Sequence, residues 1–250
     1  MTRFSVCIPA HDRGENGPKW MRELLNSLKT QTLQDFDIVV PDQSKNDSIL
    51  NTCKEYSEDF EFTYIRYEGE VACENINIGL KECTGEIVKI IFSDDVFVSN
   101  KALEIISNYY KDNKTKWAFS GFCEMTEDGK KLYGENTPRW NQYTLEGCNN
   151  LSSPSVVSFR NDCKEYFDLN MRTSLDVEFY HRMRWNYGLP HFIEGTLVAN
   201  RGHGGRVSST GYDTLLQKPE GSWVVNSEEI NYIRKKHKDF LDIGKYPDEI

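Results

Sequence analysis

The sequence predicts an α/β fold with a mostly parallel central sheet flanked by helices. Between residues 4 and 110, short apolar segments alternate with longer segments whose apolar residues recur at helical spacing. Strands and helices that alternate in this way form right-handed βαβ units on a parallel sheet. Three of the apolar segments also end in polar clusters, namely Pro9–His11, Asp42–Ser44 and Ser93–Asp95. Because ligands bind at the carboxyl ends of the strands in such sheets, these clusters predict a binding site there.

Four short apolar segments in the first half predict the strands. Pro9 ends the first of them. Pro41 and a turn-rich segment follow the second, so we expect that strand to end before the proline. The predicted strands are Phe4–Ile8, Phe36–Val40, Phe62–Tyr67 and Glu86–Phe92.

The segments between and after these strands predict helices. In the first helix Trp20, Leu24 and Leu28 share one face, which we expect to pack on the sheet. The predicted helices of this half are Lys19–Leu28, Ser48–Tyr56, Glu74–Glu82 and Lys101–Tyr110.

The second half of the sequence predicts a mixed region followed by a C-terminal helix. Asp128 and Gly129 form a turn signal between short strands. Ser227 is the expected N-cap of the last helix, and Ile230 and Ile233 are expected to face inward. No repeat or low-complexity linker interrupts the chain, so we expect one domain over residues 1–250. The predicted elements are strands at Trp117–Phe122 and within Ser152–Arg160, helices at Leu175–Trp185 and Ser227–Phe240, and a loop at Arg201–Ser209.

The composition narrows the class of protein and its partners. The 250 residues include 38% hydrophobic and 28% charged residues, as in a globular protein rather than a disordered one. A formal net charge of -9 argues against nucleic acid as a partner, because phosphate binding requires a basic face. No segment approaches the ~20 apolar residues of a membrane-spanning helix, and the seven cysteines contain no Cys-x-x-Cys pair. We therefore expect a cytoplasmic protein with reduced thiols and no transmembrane segment.

Asp94 and Asp95 are adjacent carboxylates that directly follow a buried strand. At ~4 Å apart and an effective dielectric constant of about 20, two unneutralised charges repel by ~4 kcal/mol. A divalent cation removes that repulsion, and hard oxygen ligands suit Mg²⁺ or Mn²⁺. The alternative is structural, with one carboxylate capping the next helix and the other solvated. The pair predicts a cation site that can hold a diphosphate against the negative charge of the chain.

Five segments of the sequence resemble, in the same order, the motifs of family 2 glycosyltransferases of the GT-A fold. They are FSVCIPAHDR, FDIVVPDQSKND, NINIGLKECTGEIVKIIFSDD, LDVEFYHRMRWNYGLP and RGHGGRVS. The resemblance implies a Rossmann-like sheet, a nucleotide-diphosphate-sugar donor and transfer that inverts the anomeric centre. It also implies a nucleotide-sugar-binding half at residues 1–98, an acceptor-side catalytic half at 99–215 and a C-terminal helical extension at 216–250.

The resemblance implies nucleoside contacts at the first two strand ends. Pro9, Ala10 and His11 are expected to lie along the nucleoside, and Asp42 is expected to accept a hydrogen bond from the base. Pro41 replaces the first acid of the usual Asp-Asp pair, but the second acid is kept as Asp42.

The resemblance also implies a site for Mn²⁺ or Mg²⁺. Asp95 is expected to be the main carboxylate ligand, with Asp94 at the ribose or the metal and His203 as a further ligand. Ser93 is expected to bind the nucleotide beside them. Phe92 stands where the DxD motif of the family has its first carboxylate, so the division of roles between the two aspartates stays open.

Asp176 is the candidate general base. Transfer of a sugar to a hydroxyl requires a base opposite the leaving diphosphate, which typically contributes ~10²–10⁴-fold in rate. In LDVEFY, Asp176 matches the base position of the family, and Glu178 is the weaker candidate. Residues two apart on a helix point in different directions, so only one of them should face the acceptor. The structural alternative is that Asp176 only stabilises the helix N-terminus.

The loop around His203 is glycine-rich and basic. Its glycines allow the backbone to approach an anion closely, and Arg201 and Arg206 flank it with positive charge. By resemblance the loop closes over the diphosphate, and Arg206 is a candidate phosphate ligand, with simple surface exposure as the alternative.

Two other functions remain open at this point. A sugar-nucleotide nucleotidyltransferase shares the sheet and the metal, although PAHDRGENGPK lacks the dense basic glycine-rich cluster of a phosphate loop. A non-catalytic GT-A-like glycan-binding protein keeps the fold without needing Asp95, Asp176 and His203 together. For a glycosyltransferase, the acceptor could be a glycan, a lipid-linked glycan or a protein. Through that acceptor the chain could also lie at a membrane surface.

Overall fold

The computed structural model describes residues 3–140, 144, 149–163, 165–205, 216–217, 223–224, 227–238 and 246. The strands in this part of the chain are β1 (Phe4–Cys7), β2 (Phe36–Asp42), β3 (Phe62–Arg66), β4 (Ile87–Ile90), β5 (Val96–Phe97), β6 (Trp117–Met125), β7 (Leu132–Asn136), β8 (Val157–Arg160), β9 (His191–Arg201), β10 (Leu216–Gln217) and β11 (Trp223–Val224).

The helices lie at the predicted positions with small differences at their ends. They are α1 (Asn16–Lys29), α2 (Ser48–Glu55), α3 (Ala72–Glu82), α4 (Ala102–Tyr109), α5 (Leu175–Tyr187) and α6 (Ser227–Lys236), with a 3₁₀ turn at Pro154–Val156. The predicted inner face of α1 is confirmed, because Trp20, Leu24 and Leu28 are buried. Among the described residues, none of these helices has both the length and the apolar character that a bilayer crossing needs.

The first half of the sheet is parallel, as predicted. Phe4 of β1 pairs with Phe36 of β2 on one side and with Ile87 of β4 on the other, and both pairings are parallel. β3 extends this half by pairing in parallel with β2. Because these strands run in the same direction, the polar segments that follow β1, β2 and β4 meet at one edge of the sheet.

The second half of the sheet is mixed. Within the described residues, nine strands form one sheet in the order β3-β2-β1-β4-β8-β6-β9-β5, and β7 pairs with β6. β8 lies antiparallel between β4 and β6, whereas β9 runs parallel to β6. The prediction that a parallel first half of the sheet is joined to a mixed second half is therefore confirmed.

The prediction that β2 ends before Pro41 is wrong. β2 continues through Pro41 to Asp42, and both residues pair with β3. A proline lacks the N–H of the ladder, but its carbonyl still accepts hydrogen bonds from the backbone N–H of Ala10 at 2.9 Å and from Asn75 Nδ2 at 3.2 Å. These bonds on the carbonyl side keep the strand in the sheet.

The loop expected to begin at Arg201 begins one residue later, because Arg201 is the last residue of β9. The sequence assigned no element to this eleven-residue strand. Its polar first half interrupts the apolar pattern, and Gly195, at φ +91°, lies where the register between β6 and β9 shifts. A strand with an irregularity of this kind does not give a clean two-residue alternation.

Helix α3 approaches the sheet closely at Gly79. A Cβ atom at this position would lie 2.6 Å from Pro41 Cγ and 2.8 Å from Cys7 Sγ. The absent side chain therefore lets α3 pack directly on β1 and β2, and this contact sets the height of the helix above the strand ends.

Candidate active site

A cavity of about 360 Å³ opens at the carboxyl edge of the parallel strands, within the ~300–1,000 Å³ typical of ligand sites. The segment that starts at Ser152 was expected to line the cleft, and Ser152, Ser153 and Pro154 do so. Most of the predicted site residues line this cavity: Pro9, Ala10, His11, Ser93, Asp94, Asp95 and Asp176.

The segment after β1 builds one side of the cavity. Ala10 forms an isolated parallel bridge with Asp42, and its carbonyl accepts a hydrogen bond from Gln43 N at 3.0 Å. His11 Nδ1 accepts a hydrogen bond from Arg13 N at 2.9 Å. Partial burial, and then the charge of Arg13, lower the pKa of His11. The imidazole therefore stays neutral at neutral pH.

Asp42 lies beneath this wall and does not line the cavity. It is 0% exposed, and its two oxygens accept hydrogen bonds from Ser44 N at 2.8 Å and from Tyr64 OH at 2.6 Å. Gln43 and Asn75 line the cavity beside it instead. That Asp42 accepts a hydrogen bond directly from the base stays a prediction, and in this structure its carboxylate holds the strand end together.

Asp94 and His203 meet at the acidic end of the cavity. His203 Nε2 lies 2.7 Å from Asp94 Oδ2, and the imidazole packs 4.6 Å from the Trp20 ring. His203 Nδ1 accepts a hydrogen bond from Gly205 N at 3.1 Å, so the ring proton is on Nε2 and is donated to Asp94. Burial raises the pKa of Asp94, but the hydrogen bond from His203 outweighs this effect and leaves the pKa below its ordinary value.

Arg201 holds the segment of the two aspartates in place. Its backbone N–H donates to Asp95 Oδ1 at 2.8 Å, and its Nε donates to the Asp94 carbonyl at 2.8 Å. The guanidinium also bonds to the Glu127 carbonyl and to the Glu23 carboxylate. Because Arg201 is 0% exposed, the expectation that it offers positive charge to a bound anion is wrong. Arg206, the candidate phosphate ligand, lies outside the described residues.

The donor set at this end fits a divalent cation chemically. Within the described part of the chain, no group of three or more His, Cys, Asp or Glu side chains is arranged to hold a metal. Mg²⁺ and Mn²⁺ are nevertheless often bound by one or two carboxylates and completed by substrate phosphates and water. Asp94 Oδ2 and His203 Nε2, with Asp95 beside them on the wall, supply oxygen and nitrogen donors of that kind.

Asp176 lies across the cavity in the first turn of α5. Its carboxylate accepts hydrogen bonds from Val177 N at 2.8 Å and from Asn149 Nδ2 at 2.6 Å. Burial nevertheless raises the pKa of Asp176 to about 7. A carboxyl of this kind exchanges a proton near neutral pH, which is what a general base requires.

Glu178 is not available to the cavity. It is 0% exposed and accepts hydrogen bonds from Arg182, Lys236 and His237. Burial opposes ionisation of Glu178, but these partners outweigh it and hold its pKa well below its usual range. The two acidic residues of LDVEFY therefore point to different surroundings, as their spacing predicts.

Several lining residues were not singled out from the sequence. Gln43 was within a recognised polar cluster, so its position at a strand end was the available signal. Asn149 reaches Asp176 across 27 residues of sequence, and no local pattern marks that contact. The lining residues without a predicted role include Arg13, Gln43, Asn75, Asn149, Arg172 and Asn200.

The family model of glycosyl transferase family 2 matches residues 5–167 of the chain. The chain belongs to this family. The motif resemblance and the predicted glycosyltransferase class are thereby confirmed.

The curated relatives of this family 2 chain differ in length from it. GlyA of Streptococcus pneumoniae serotype 4 is 28% identical over 130 residues, which are 47% of this chain and 18% of GlyA. A glycosyltransferase of Rickettsia bellii is 25% identical over 135 residues, covering 54% of this chain and 19% of the relative. A glycosyltransferase of Rickettsia prowazekii is 22% identical over 254 positions, covering 95% and 77%. The chain thus spans about a fifth of the first two relatives and most of the third.

Solved structures share the fold. TarS 1–349 of S. aureus in complex with UDP-GlcNAc aligns with a TM-score of 0.64 at 21% identity, covering 84% of this chain and 61% of TarS 1–349. The mannosyltransferase PcManGT of Pyrobaculum calidifontis, solved with GDP-Man and Mn²⁺, aligns with a TM-score of 0.57 at 14% identity, covering 80% and 56%. The predicted GT-A type of α/β fold is therefore confirmed.

Proposed function

We propose that the chain transfers a sugar from a nucleotide-diphosphate sugar to an acceptor hydroxyl, with inversion at the anomeric carbon and with Asp176 as general base. One observation carries this proposal. A carboxyl with a pKa raised to about 7 faces the same cavity as the Asp94–His203 pair at the carboxyl ends of the parallel strands. A base on one side and an anion-binding centre on the other are what displacement at a sugar carbon needs.

The donor is assigned to the strand-end side of the cavity. Pro9, Ala10 and His11 would lie along the nucleoside, with Ser93 and Asp94 next to the ribose. The complexes of two fold neighbours, TarS with UDP-GlcNAc and PcManGT with GDP-Man, support a nucleotide-sugar donor.

A divalent cation, Mn²⁺ or Mg²⁺, would be held by Asp95, Asp94 and His203. When bound, it would offset the negative charge of the diphosphate, which the acidic chain otherwise repels. The presence of Mn²⁺ in the PcManGT complex supports this assignment. Arg206 is proposed as a further phosphate ligand from the loop after His203.

Asp176 would accept the proton of the acceptor hydroxyl as the anomeric carbon is attacked. Asn149 donates to one carboxylate oxygen and Val177 N–H to the other, so the carboxylate is held in one orientation. Its raised pKa leaves a large fraction ionised at neutral pH and also makes it a stronger base than an ordinary aspartate. The acceptor is proposed to be a glycan, a lipid-linked glycan or a protein hydroxyl.

A thermal-shift screen tests the donor site. UDP, GDP, CDP and dTDP are each added with Mn²⁺, Mg²⁺ or EDTA to the wild type and to Asp95→Ala. A ligand at ~100 times its dissociation constant stabilises the fold by about 2.7 kcal/mol, which is readily detected. We expect one nucleotide to stabilise the wild type in a metal-dependent way and Asp95→Ala much less. No stabilisation by any nucleotide would contradict the proposal.

Asp176→Asn tests the base. Turnover of the donor identified in the screen should fall by ~10²–10⁴-fold while the nucleotide-induced thermal shift stays. Asp162→Asn is the matched control, because Asp162 is an exposed aspartate whose side chain is 68% accessible. Wild-type turnover in Asp176→Asn would show that Asp176 is not the general base.

A further inference from the structure

We propose that Glu229 of the C-terminal helix α6 is a positioning residue for Asp176, because its carboxylate holds the backbone that leads into the first turn of α5. The inference rests on the proposed role of Asp176 as general base and adds a residue that acts through it. It also makes α6 part of the catalytic half rather than a separate extension.

Within the part of the chain that the structure describes, the hydrogen bonds to the Glu229 carboxylate come from the three residues before α5. Its carboxylate accepts hydrogen bonds from Arg172 N at 2.7 Å, from Ser174 N at 2.8 Å, and from Thr173 N and Oγ1 at 3.2 and 2.7 Å. Glu229 itself is 8% exposed. Four donors thus converge on one buried carboxylate, and charge-assisted bonds of this kind are stronger than neutral ones.

The N-cap residue of helix α5 supplies no side-chain cap, and Glu229 lies beside this end of the helix. The N-cap residue Ser174 makes no side-chain cap hydrogen bond, and its hydroxyl has no partner among the described residues. The first N–H groups of a helix need acceptors from outside the helix. Glu229 is not itself the N-cap residue. Its carboxylate accepts hydrogen bonds from the N–H groups of residues 172–174 and places a negative charge at the positive end of the helix dipole.

The same segment forms part of the cavity wall. Arg172 and Thr173 line the cavity together with Leu175 and Asp176. A carboxylate that fixes residues 172–174 therefore fixes both the wall and the base. Loss of the correct geometry by a fraction of an ångström is enough to lower the rate of a positioned proton transfer.

Glu229 also acts on Asp176 through its charge. The negative charge of Glu229 raises the pKa of Asp176, after the larger effect of burial. Within the described part of the chain, Cys73 of α3 and Tyr180 of α5 also interact electrostatically with Asp176. Burial raises the pKa of both, so they are neutral at pH 7. Arg172 lines the same cavity and carries a positive charge, whereas Glu229 is a negative charge that α6 brings to the base.

Helix α6 is held against this region by further contacts. Lys236 Nζ lies 2.6 Å from Asp168 Oδ2 and 2.7 Å from Glu178 Oε1, and Tyr232 OH donates to Asp168 at 2.9 Å. None of these contacts involves Glu229, so we expect them to persist when Glu229 alone is changed. A variant at Glu229 is therefore expected to test the carboxylate and not the docking of the whole helix.

Glu229→Gln removes the charge and keeps the shape. We expect the pKa of the Asp176 carboxyl, measured from its ¹³C chemical shift, to fall, because a nearby negative charge has been removed. We expect kcat to fall ~10-fold and the acid limb of kcat/KM to move to lower pH. Amide exchange at residues 172–174 should become faster. Glu228→Gln, an exposed neighbour on α6, is the matched control and should change none of these.

Glu229→Asp separates charge from position. It keeps the charge but shortens the side chain, so the pKa of Asp176 should stay near that of the wild type while kcat falls and amide exchange at 172–174 rises. This variant also serves if Glu229→Gln does not fold. An unchanged pKa of Asp176 in Glu229→Gln, together with unchanged amide exchange at 172–174 in the folded variants, overturns the inference. If only Glu229→Asp folds, unchanged amide exchange in that variant overturns it. If Asp176→Asn keeps wild-type turnover, the proposed function fails instead, and the NMR titration and amide exchange of the Glu229 variants still report separately whether Glu229 positions Asp176.

Discussion

His203 Nε2 lies 2.7 Å from Asp94 Oδ2, although the two residues are 109 positions apart in the sequence. Strand β9 delivers the imidazole to the carboxyl end of β4, and Arg201, the last residue of β9, ties down the backbone between the two aspartates. The carboxylate oxygen and the imidazole nitrogen share one proton here. Both atoms can also act as metal ligands, so a divalent cation can take the place of that proton.

His203→Ala is therefore expected to weaken metal binding. Removal of one donor, and of the group that orients Asp94, should lower the apparent affinity for Mn²⁺ by on the order of 10–100-fold. The measurement is the Mn²⁺ concentration needed for half of the maximal nucleotide-induced thermal shift. His191→Ala is the control, because His191 is exposed at the opposite end of the same strand. Equal Mn²⁺ requirements in the wild type and His203→Ala would remove His203 from the metal site.

Asn149→Ala is expected to move the pH dependence of turnover upward. Asn149 Nδ2 donates to Asp176 Oδ2 at 2.6 Å and so stabilises the ionised carboxylate. Without this bond the pKa of Asp176, already raised by burial to about 7, should rise further. The base is active only when ionised, so the acid limb of kcat/KM should move to higher pH. Glu229→Gln is expected to move it in the opposite direction.

The pH profile of Asn149→Ala is measured against that of Asn150→Ala. Asn150 is the exposed neighbour of Asn149, and its loss should leave the limb unchanged. A limb that stays in place, or that moves to lower pH, in Asn149→Ala would show that the amide does not control the charge of Asp176.

Glu178→Gln is expected to destabilise the fold at neutral pH. Glu178 is fully buried and joins Arg182 on α5 with Lys236 and His237 at the end of α6. Removing one member of a buried ion cluster costs ~3–5 kcal/mol, because the remaining charges stay buried without their partner. Chemical denaturation at pH 7 should show this loss, and Glu194→Gln, at an exposed site on β9, should not.

The loss should depend on pH in one direction. The pKa of Glu178 is depressed in the folded protein, so its stabilising contribution is fully present above the pKa of an unfolded glutamate, about 4.3. It declines as the pH falls below that value, because the unfolded state then binds a proton that the folded state does not bind. The difference between wild type and variant should therefore shrink between pH 5 and pH 3. A difference that is constant over this range would mean that packing, not charge, carries the effect.

Much of the fold and part of the site could be predicted from the sequence for one physical reason. Parallel strands that alternate with helices bring their carboxyl ends to one edge, so His11 and Asp94 could be expected near each other before any coordinates. Asp176 could be expected there only through the motif resemblance, because nothing in its own segment specifies where α5 lies. The contact from Glu229 to residues 172–174 spans 55 residues and more, and it follows from how two helices dock.

The errors have physical causes as well. Pro41 was expected to end β2, but the bonds to its carbonyl keep it in the sheet. Arg201 was expected to flank the loop around His203 with positive charge because it stands in a basic, glycine-rich segment. Its place at the end of an unpredicted strand instead buries the guanidinium among carbonyls and Glu23. Composition predicts that charge is present in a segment, whereas the strand determines which way a given side chain points.

Gly79→Ala is expected to destabilise the protein although alanine favours helices. In an exposed helix the exchange of glycine for alanine gains ~1 kcal/mol. Here the new Cβ atom would lie 2.6 Å from Pro41 Cγ and 2.8 Å from Cys7 Sγ, so either α3 or two buried strands must shift. Overpacking of this kind costs ~1–3 kcal/mol, and the rigid proline ring offers little relief. We therefore expect a net loss of stability in urea denaturation.

Gly204→Ala is the control, because a Cβ atom at this position meets nothing within 4 Å. Its stability should stay within ~0.5 kcal/mol of the wild type. If Gly79→Ala were as stable as Gly204→Ala, α3 would have room to move away from the sheet, and the close approach would not set its position.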